Sequence, residues 1–247
     1  MMLEELEDEV WVALGEQRER LAILRAQDPD ACEAIDRERE LDFVWASNAL
    51  DGNALSRAEV ERLLETGLAI GGKPLADHME TLDQNAAFDL AARLSRLDQP
   101  IREAELLQVH AAVLARTKPE SAGRFRERGR TVEGSLTTFP TPQEIEGLVG
   151  EFTIWLAAQP LDAKTAVAAH ERLVSIQPFE DGNGRTARLV MALVLLRAGY
   201  PLLVVRAEDR AAYHTALEAV QLGGPSRPYE SFMAERLEAA FARYLAG

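Results

Sequence analysis

Cysteine is nearly missing from this 247-residue chain: Cys32 stands alone, so no intramolecular disulfide is available and a disulfide-stapled scaffold is excluded. No histidine lies near it in sequence, and it reads as a helix position rather than a nucleophile. Long apolar runs are also lacking. The longest, Leu189 to Leu196, falls well short of the ~20 residues a membrane-spanning helix needs. The segment from Glu4 to Glu9 is acidic, the opposite of an export signal's basic start. These absences predict a cytoplasmic protein without membrane contact. Positive charge is scarce: 27 Lys and Arg against 41 Asp and Glu leave a net charge of -14, which repels a phosphate backbone and argues against nucleic acid as partner.

What is present is a globular, helix-forming composition, 47% hydrophobic and 28% charged. The length suits one buried core, with room for a small helical extension. Apolar residues at helical spacing (Leu3, Leu6, Val10, Leu14, Leu21) predict an amphipathic helix over 3–26, to be packed on the body or on a partner. Asp28 and Pro29 open a second helix to Leu50, and Asp51-Gly52-Asn53 turns the chain. Ser56 with Glu59 forms a capping box for a third, and a fourth begins near Leu75. Further helices are expected from Pro100 to about Ala115, Pro142 to about Ala158, Asp162 to Ile176, Arg185 to Arg197, 208–221 and 229–245. Only between Ser121 and Pro140 does the pattern lapse. There Gly123, Gly129 and Gly134 alternate with Arg124, Arg126, Arg128 and Arg130, and a short hairpin is expected.

The chemistry is concentrated in Gln177-Pro178-Phe179-Glu180-Asp181-Gly182-Asn183-Gly184-Arg185-Thr186-Ala187-Arg188, between two apolar helices. Gly182 and Gly184 permit backbone conformations in which successive N–H groups share one concavity, and the following helix adds its positive end. Arg185 and Arg188, three apart, project from one side of the first turns, and Asp181 offers a hard oxygen for Mg2+. Together they suit a nucleotide polyphosphate with its metal. Taken alone, the tetrapeptide 181–184 also reads as a plain turn with two solvated arginines after it.

The eleven positions from Pro178 to Arg188 resemble the signature of the Fic family, His-Pro-Phe-x-Asp/Glu-Gly-Asn-Gly-Arg-x-x-Arg. Ser47 to Asn53 resembles that family's inhibitory helix motif through Ser47, Asp51 and Gly52, and residues 123–140, with Thr131, Val132 and Gly134, resemble its target-docking flap. The resemblance covers roughly residues 40–245. It implies an all-α, Fic-type helical bundle with a short β-hairpin flap, residues 1–40 being an N-terminal extension and 41–247 the Fic domain. It also implies ATP binding through Phe179, Gly182, Asn183, Gly184, Arg185 and Arg188, with Mg2+ on Asp181. AMP would pass to a hydroxyl of an unknown protein target docked on the flap, and the N-terminal helix is a possible homodimer surface.

Two positions depart from the pattern. Gln177 stands where the family has its proton-accepting histidine, and an amide cannot serve as a general base near neutral pH. His170, seven residues earlier, lies roughly 10 Å away along its helix, too far to substitute, and reads as a packing residue. His78, His110 and His214 read as structural or surface groups. Asp51 stands where the motif has glutamate, about 1.5 Å shorter, so a direct pair with Arg188 is expected not to form. Three functions follow from the resemblance: AMP transfer with the base replaced, a silent nucleotide- or protein-binding pseudoenzyme, and a de-AMPylating hydrolase using Asp51.

Overall fold

Ten α-helices make up the described part of the chain, which in this computed structural model comprises residues 2–131 and 136–245, with side chains from residue 9 onward. They are α1 (Met2–Gln27), α2 (Pro29–Leu50), α3 (Arg57–Thr66), α4 (Leu75–Ser95), α5 (Glu103–Val113), α6 (Pro142–Ala157), α7 (Ala163–Ile176), α8 (Asn183–Arg197), α9 (Arg210–Gln221) and α10 (Arg227–Leu245). A short 3-10 turn, Ala207–Asp209, precedes α9. The expected caps are in place. Asp28 accepts the Ala31 N–H at 3.1 Å to start α2, and Ser56 and Glu59 close a reciprocal box on α3. Asp162 accepts the Thr165 N–H at 2.7 Å to start α7.

The architecture turns on α8. Its residues from Arg185 to Leu195 are all buried, so it has no solvent face and occupies the middle of the bundle. Helix α7 runs into it through the Gln177–Gly182 loop, and α4 and α5 cover other sides. Helix α1 lies along α10, with Leu14 and Leu21 fully buried in the common core, and α2 runs unbroken through residue 40. No helix of the described residues is long and apolar enough to cross a membrane.

Two boundaries differ from the sequence reading. Helix α8 begins at Asn183 rather than Arg185, because Gly182 (φ 72°) takes the cap and Asn183 already sits in the first turn. Helix α5 begins at Glu103 rather than Pro100, where Arg102 and Glu105 form its cap. Among the described residues no strand occurs. Residues 123–131 and 136–140 run as irregular backbone whose polar groups find partners outside any ladder. The Arg126 N–H donates to Pro178 O at 3.0 Å, and the Leu136 N–H to Glu218 Oε1 at 2.7 Å. The expected hairpin is therefore absent there, and its tip, Val132 and Gly134, lies outside the described residues.

Candidate functional site

The loop from α7 to α8 is held by its own backbone and by two side chains. Gln177 ends α7 in the left-handed region (φ 48°), the one such non-glycine among the described residues. Its N–H donates to Leu173 O at 3.2 Å. This conformation costs on the order of 1 kcal/mol, and strain of this kind gathers at functional positions. Asn183 spans the loop: the Phe179 N–H donates to its Oδ1 at 2.9 Å, and its Nδ2 donates to Phe179 O at 2.8 Å. A side chain at Gly182 would adopt a strained φ and bring its Cβ to 3.1 Å from Val113 Cγ1, whereas one at Gly184 would meet an Arg188 Nη at 3.0 Å. Both glycines let the loop approach its neighbours closely.

Arg126, 3% exposed, fastens the loop from outside. Its guanidinium donates to Gln177 O at 2.7 Å, Arg128 O at 2.7 Å and Pro140 O at 2.5 Å, tying both ends of the 126–140 segment to the end of α7. His110 supports the other side. Its ring stacks on Phe179 at 3.6 Å and 7°, Nδ1 accepts the Gly123 N–H at 3.1 Å, and Nε2–H donates to Asp181 O at 3.0 Å. Burial first, and then Arg185, push its pKa down to about 4, which keeps the ring neutral.

Both signature arginines are buried, each 4% exposed, and they converge on Asp51. Arg188 Nη2 lies 3.1 Å from Asp51 Oδ2 and 2.8 Å from Ser47 O, and its Nε donates to Ser47 Oγ at 2.9 Å. The pair that the shorter side chain was expected to forbid does form. As the C-cap of α2, Asp51 lies beside the first turns of α8, and the long arginine side chain spans the remaining distance. Asp51 Oδ2 also lies 3.4 Å from Arg185 Nε. Burial works against the Arg188 charge; Asp51 and the Tyr213 hydroxyl outweigh it, so its pKa lies above the usual arginine value. Arg185 keeps Nε and one Nη buried without a hydrogen-bond partner. Buried, unsatisfied guanidinium N–H groups are costly, and an anion that accepts from them removes that cost.

Asp181 faces the same space. Burial alone would raise its pKa, but Lys118, the Gly182 N–H and Arg185 together hold the carboxyl below the usual range. It therefore stays ionised and supplies the hard oxygen a divalent cation takes, so the donor chemistry fits Mg2+. No group of three His, Cys, Asp or Glu able to hold a metal occurs among the described residues. Asp181 would thus be a single protein ligand, the rest coming from phosphate and water. The Gln177 side chain is also buried, and its Oε1 has no partner.

These groups border a cavity of about 520 Å3, lined also by Arg130, Arg210, Tyr213 and His214. Thr131, the described part of the expected flap triad, is exposed and follows Arg130 of the lining. Sequence reasoning missed Lys118, His110, Tyr213, Arg210 and His214, because their helical contexts are ordinary and only the fold brings them to the loop. Arg126 and Arg130 carried a signal, the alternation of arginine with glycine. Behind Arg188 lies His170, fully buried: Tyr213 OH donates to its Nε2 at 2.8 Å, and its Nδ1–H donates to the Tyr229 hydroxyl oxygen at 2.7 Å. It is a packing residue and does not reach Gln177's position.

The fold and the site define a class: an all-helical domain whose central helix opens on a glycine-bearing loop ringed by buried guanidinium groups. Residues 100–195 match the model of the Fic/DOC family, and the chain belongs to that family. It is 32% identical over 249 residues to the protein adenylyltransferase Fic of Culex quinquefasciatus, covering 99% of this chain and 49% of that protein. To the protein adenylyltransferase fic-1 of Caenorhabditis elegans it is 32% identical over 227 residues, 89% and 44% of the two chains. A solved structure of C. elegans Fic-1 superposes with a TM-score of 0.87 at 29% identity, covering 99% of this chain and 73% of that one. A Fic-domain protein from Bacteroides thetaiotaomicron shares the fold at TM-score 0.83 and 22% identity. The chain spans about half the length of the curated relatives it matches.

Proposed function

We propose that this chain binds ATP in the 182–188 loop and transfers AMP to a protein hydroxyl, with Gln177 orienting that hydroxyl in place of a base. The observation that carries the reading is Arg185: a buried guanidinium at the N-terminal end of the central helix, with one Nη unpartnered and Nε meeting only Asp51 at 3.4 Å, beside a cavity of nucleotide size that Asp51 and Asp181 line. The relatives named as protein adenylyltransferases supply the reaction class. Phosphate oxygens would be held by Arg185, Arg188 and the first backbone N–H groups of α8, and Mg2+ by Asp181, where it would neutralise phosphate charge. Gln177 donates and accepts hydrogen bonds but takes no proton, so the transfer runs about 10²- to 10⁴-fold below that of a chain with a positioned base. Phosphoryl-type transfer depends mainly on alignment and charge neutralisation, which this site retains.

A second reading has a specific observation in its favour. The buried, unpartnered Gln177 Oε1 and the Asp51–Arg188 pair suit a pseudoenzyme that holds nucleotide without turnover. Transfer of label from α-phosphate-labelled ATP with Mg2+ into host-lysate proteins separates the two. The enzyme reading expects weak label with the native chain, label about 10²- to 10⁴-fold stronger with Gln177→His, and none with Arg185→Ala. Label with Gln177→His alone establishes the pseudoenzyme, and label that survives Arg185→Ala contradicts both.

A further inference from the structure

Lys118 lies in the turn after α5, outside the signature loop, and its Nζ sits 2.7 Å from Asp181 Oδ2. Arg185 Nη2 lies 3.7 Å from the same oxygen, and Oδ1 accepts the Gly182 N–H at 2.7 Å. Both oxygens of the carboxylate that fits a metal are therefore engaged by the chain's own donors. The lysine's backbone is fixed by an independent, buried device. Asp83, 0% exposed, accepts the Arg116 N–H at 2.9 Å, the Thr117 N–H at 3.2 Å and an Arg116 Nη–H at 2.8 Å, which clamps the turn one residue before Lys118. The Lys118 N–H donates to Leu114 O and its carbonyl accepts the Ser121 N–H, each at 3.0 Å. Only the four-carbon stem is left to move, and the clamp aims it at Asp181.

An ammonium and a divalent cation on the same carboxylate repel each other, so each weakens the other's hold on it. We propose that Lys118 is a resident cation of the nucleotide site, competing with the divalent metal for Asp181 and supplying part of its neutralising charge, so that it sets how strongly nucleotide binding depends on metal. The proposal rests on the nucleotide-binding reading above. The cavity lining carries three guanidinium groups (Arg130, Arg188 and Arg210) and three carboxylates (Asp51, Asp181 and Glu218), and Lys118 and Arg185, which reach Asp181 and Asp51 from beside it, tip the balance positive without any metal. A nucleotide polyphosphate therefore meets a cationic site even when divalent ions are scarce. The Lys118 and Asp181 side chains are 50% and 36% exposed, so the competition is modest, on the order of a fewfold in affinity.

The test compares the native chain with Lys118→Met, which keeps the stem and removes the charge, and Lys118→Arg, which keeps the charge. Mn2+ affinity is read by electron paramagnetic resonance, with Asp181→Asn defining the signal that belongs to this site. ATP affinity is read by calorimetry in Mg2+ and in EDTA. Lys118→Met is expected to bind Mn2+ about fivefold tighter than the native chain and to lose about fivefold more ATP affinity on metal removal, while Lys118→Arg keeps the native pattern. Equal Mn2+ affinity and equal metal dependence in the native and methionine chains overturn the proposal. If no chain binds ATP under either condition, the nucleotide reading fails instead, and the Mn2+ titration still decides whether Lys118 occupies Asp181.

Discussion

Arg188 is the residue whose partners matter most to whether the site is open. Of its donors, Nε is committed to Ser47 Oγ and Nη2 is shared between Ser47 O and Asp51 Oδ2. A phosphate oxygen that enters must draw the guanidinium from Asp51, whose side chain is 39% exposed and therefore screened, while the two Ser47 contacts can persist. The interaction is a restraint rather than a lock. Asp51→Ala should tighten ATP binding by about tenfold and destabilise the ligand-free chain by about 1–2 kcal/mol, since it leaves a buried charge short of one partner. Calorimetric affinity and the chemical-denaturation midpoint read the two effects, and unchanged affinity would mean that Asp51 is only a helix cap. The Arg188 pairing was half legible in the sequence. The motif named the partners, but side-chain length alone could not show that the aspartate, seated at the end of α2, meets the long side chain of Arg188.

Between elements, a buried hydrogen-bond relay joins the site to the back of the bundle. The Arg188 charge of α8 acts on the Tyr213 hydroxyl of α9, Tyr213 donates to His170 of α7, and His170 donates to the Tyr229 hydroxyl of α10. Tyr229 in turn points at Val167 O at 3.4 Å, so the ring accepts from one tyrosine and donates to the other only while His170 is neutral. Burial, and then the nearby Arg188 charge, push the His170 pKa down to about 3. The unfolded histidine, near 6.5, binds a proton that the folded one refuses, so between about pH 6.5 and 3 the unfolded state holds more protons and stability falls as pH falls. At most about 1.4 kcal/mol per pH unit is lost through this one group. Unfolding free energy measured from pH 8 to pH 4 should show that slope below 6.5 and a shallower one in His170→Gln; identical slopes would remove His170 from the account. The helices themselves were legible because their caps are local: Asp28, Ser56 and Asp162 each cap the helix that follows. The expected hairpin was not, because Leu136 satisfies its N–H on a glutamate of α9, a partner 82 residues away that no local pattern announces.

For the whole molecule, the position of α8 explains how a strongly acidic protein keeps an anion site. The net charge of -14 is spread over the surface, whereas Arg185 and Arg188 project from a helix that has no solvent face and are buried with few counter-charges nearby. At an effective dielectric below that of water, these near charges outweigh the distant, screened ones. The loop that carries them was legible because its eleven residues are contiguous. The surrounding groups Lys118, His110, Tyr213, Arg210 and His214 were not, because they come near the loop only once the fold brings α5, the turn after it and α9 around it. If the loop holds nucleotide phosphate through Arg185, calorimetric titration of ATP should show saturable binding by the native chain and at least about tenfold weaker binding by Arg185→Ala. Equal affinity in the two, or no binding by a folded native chain, would contradict that reading.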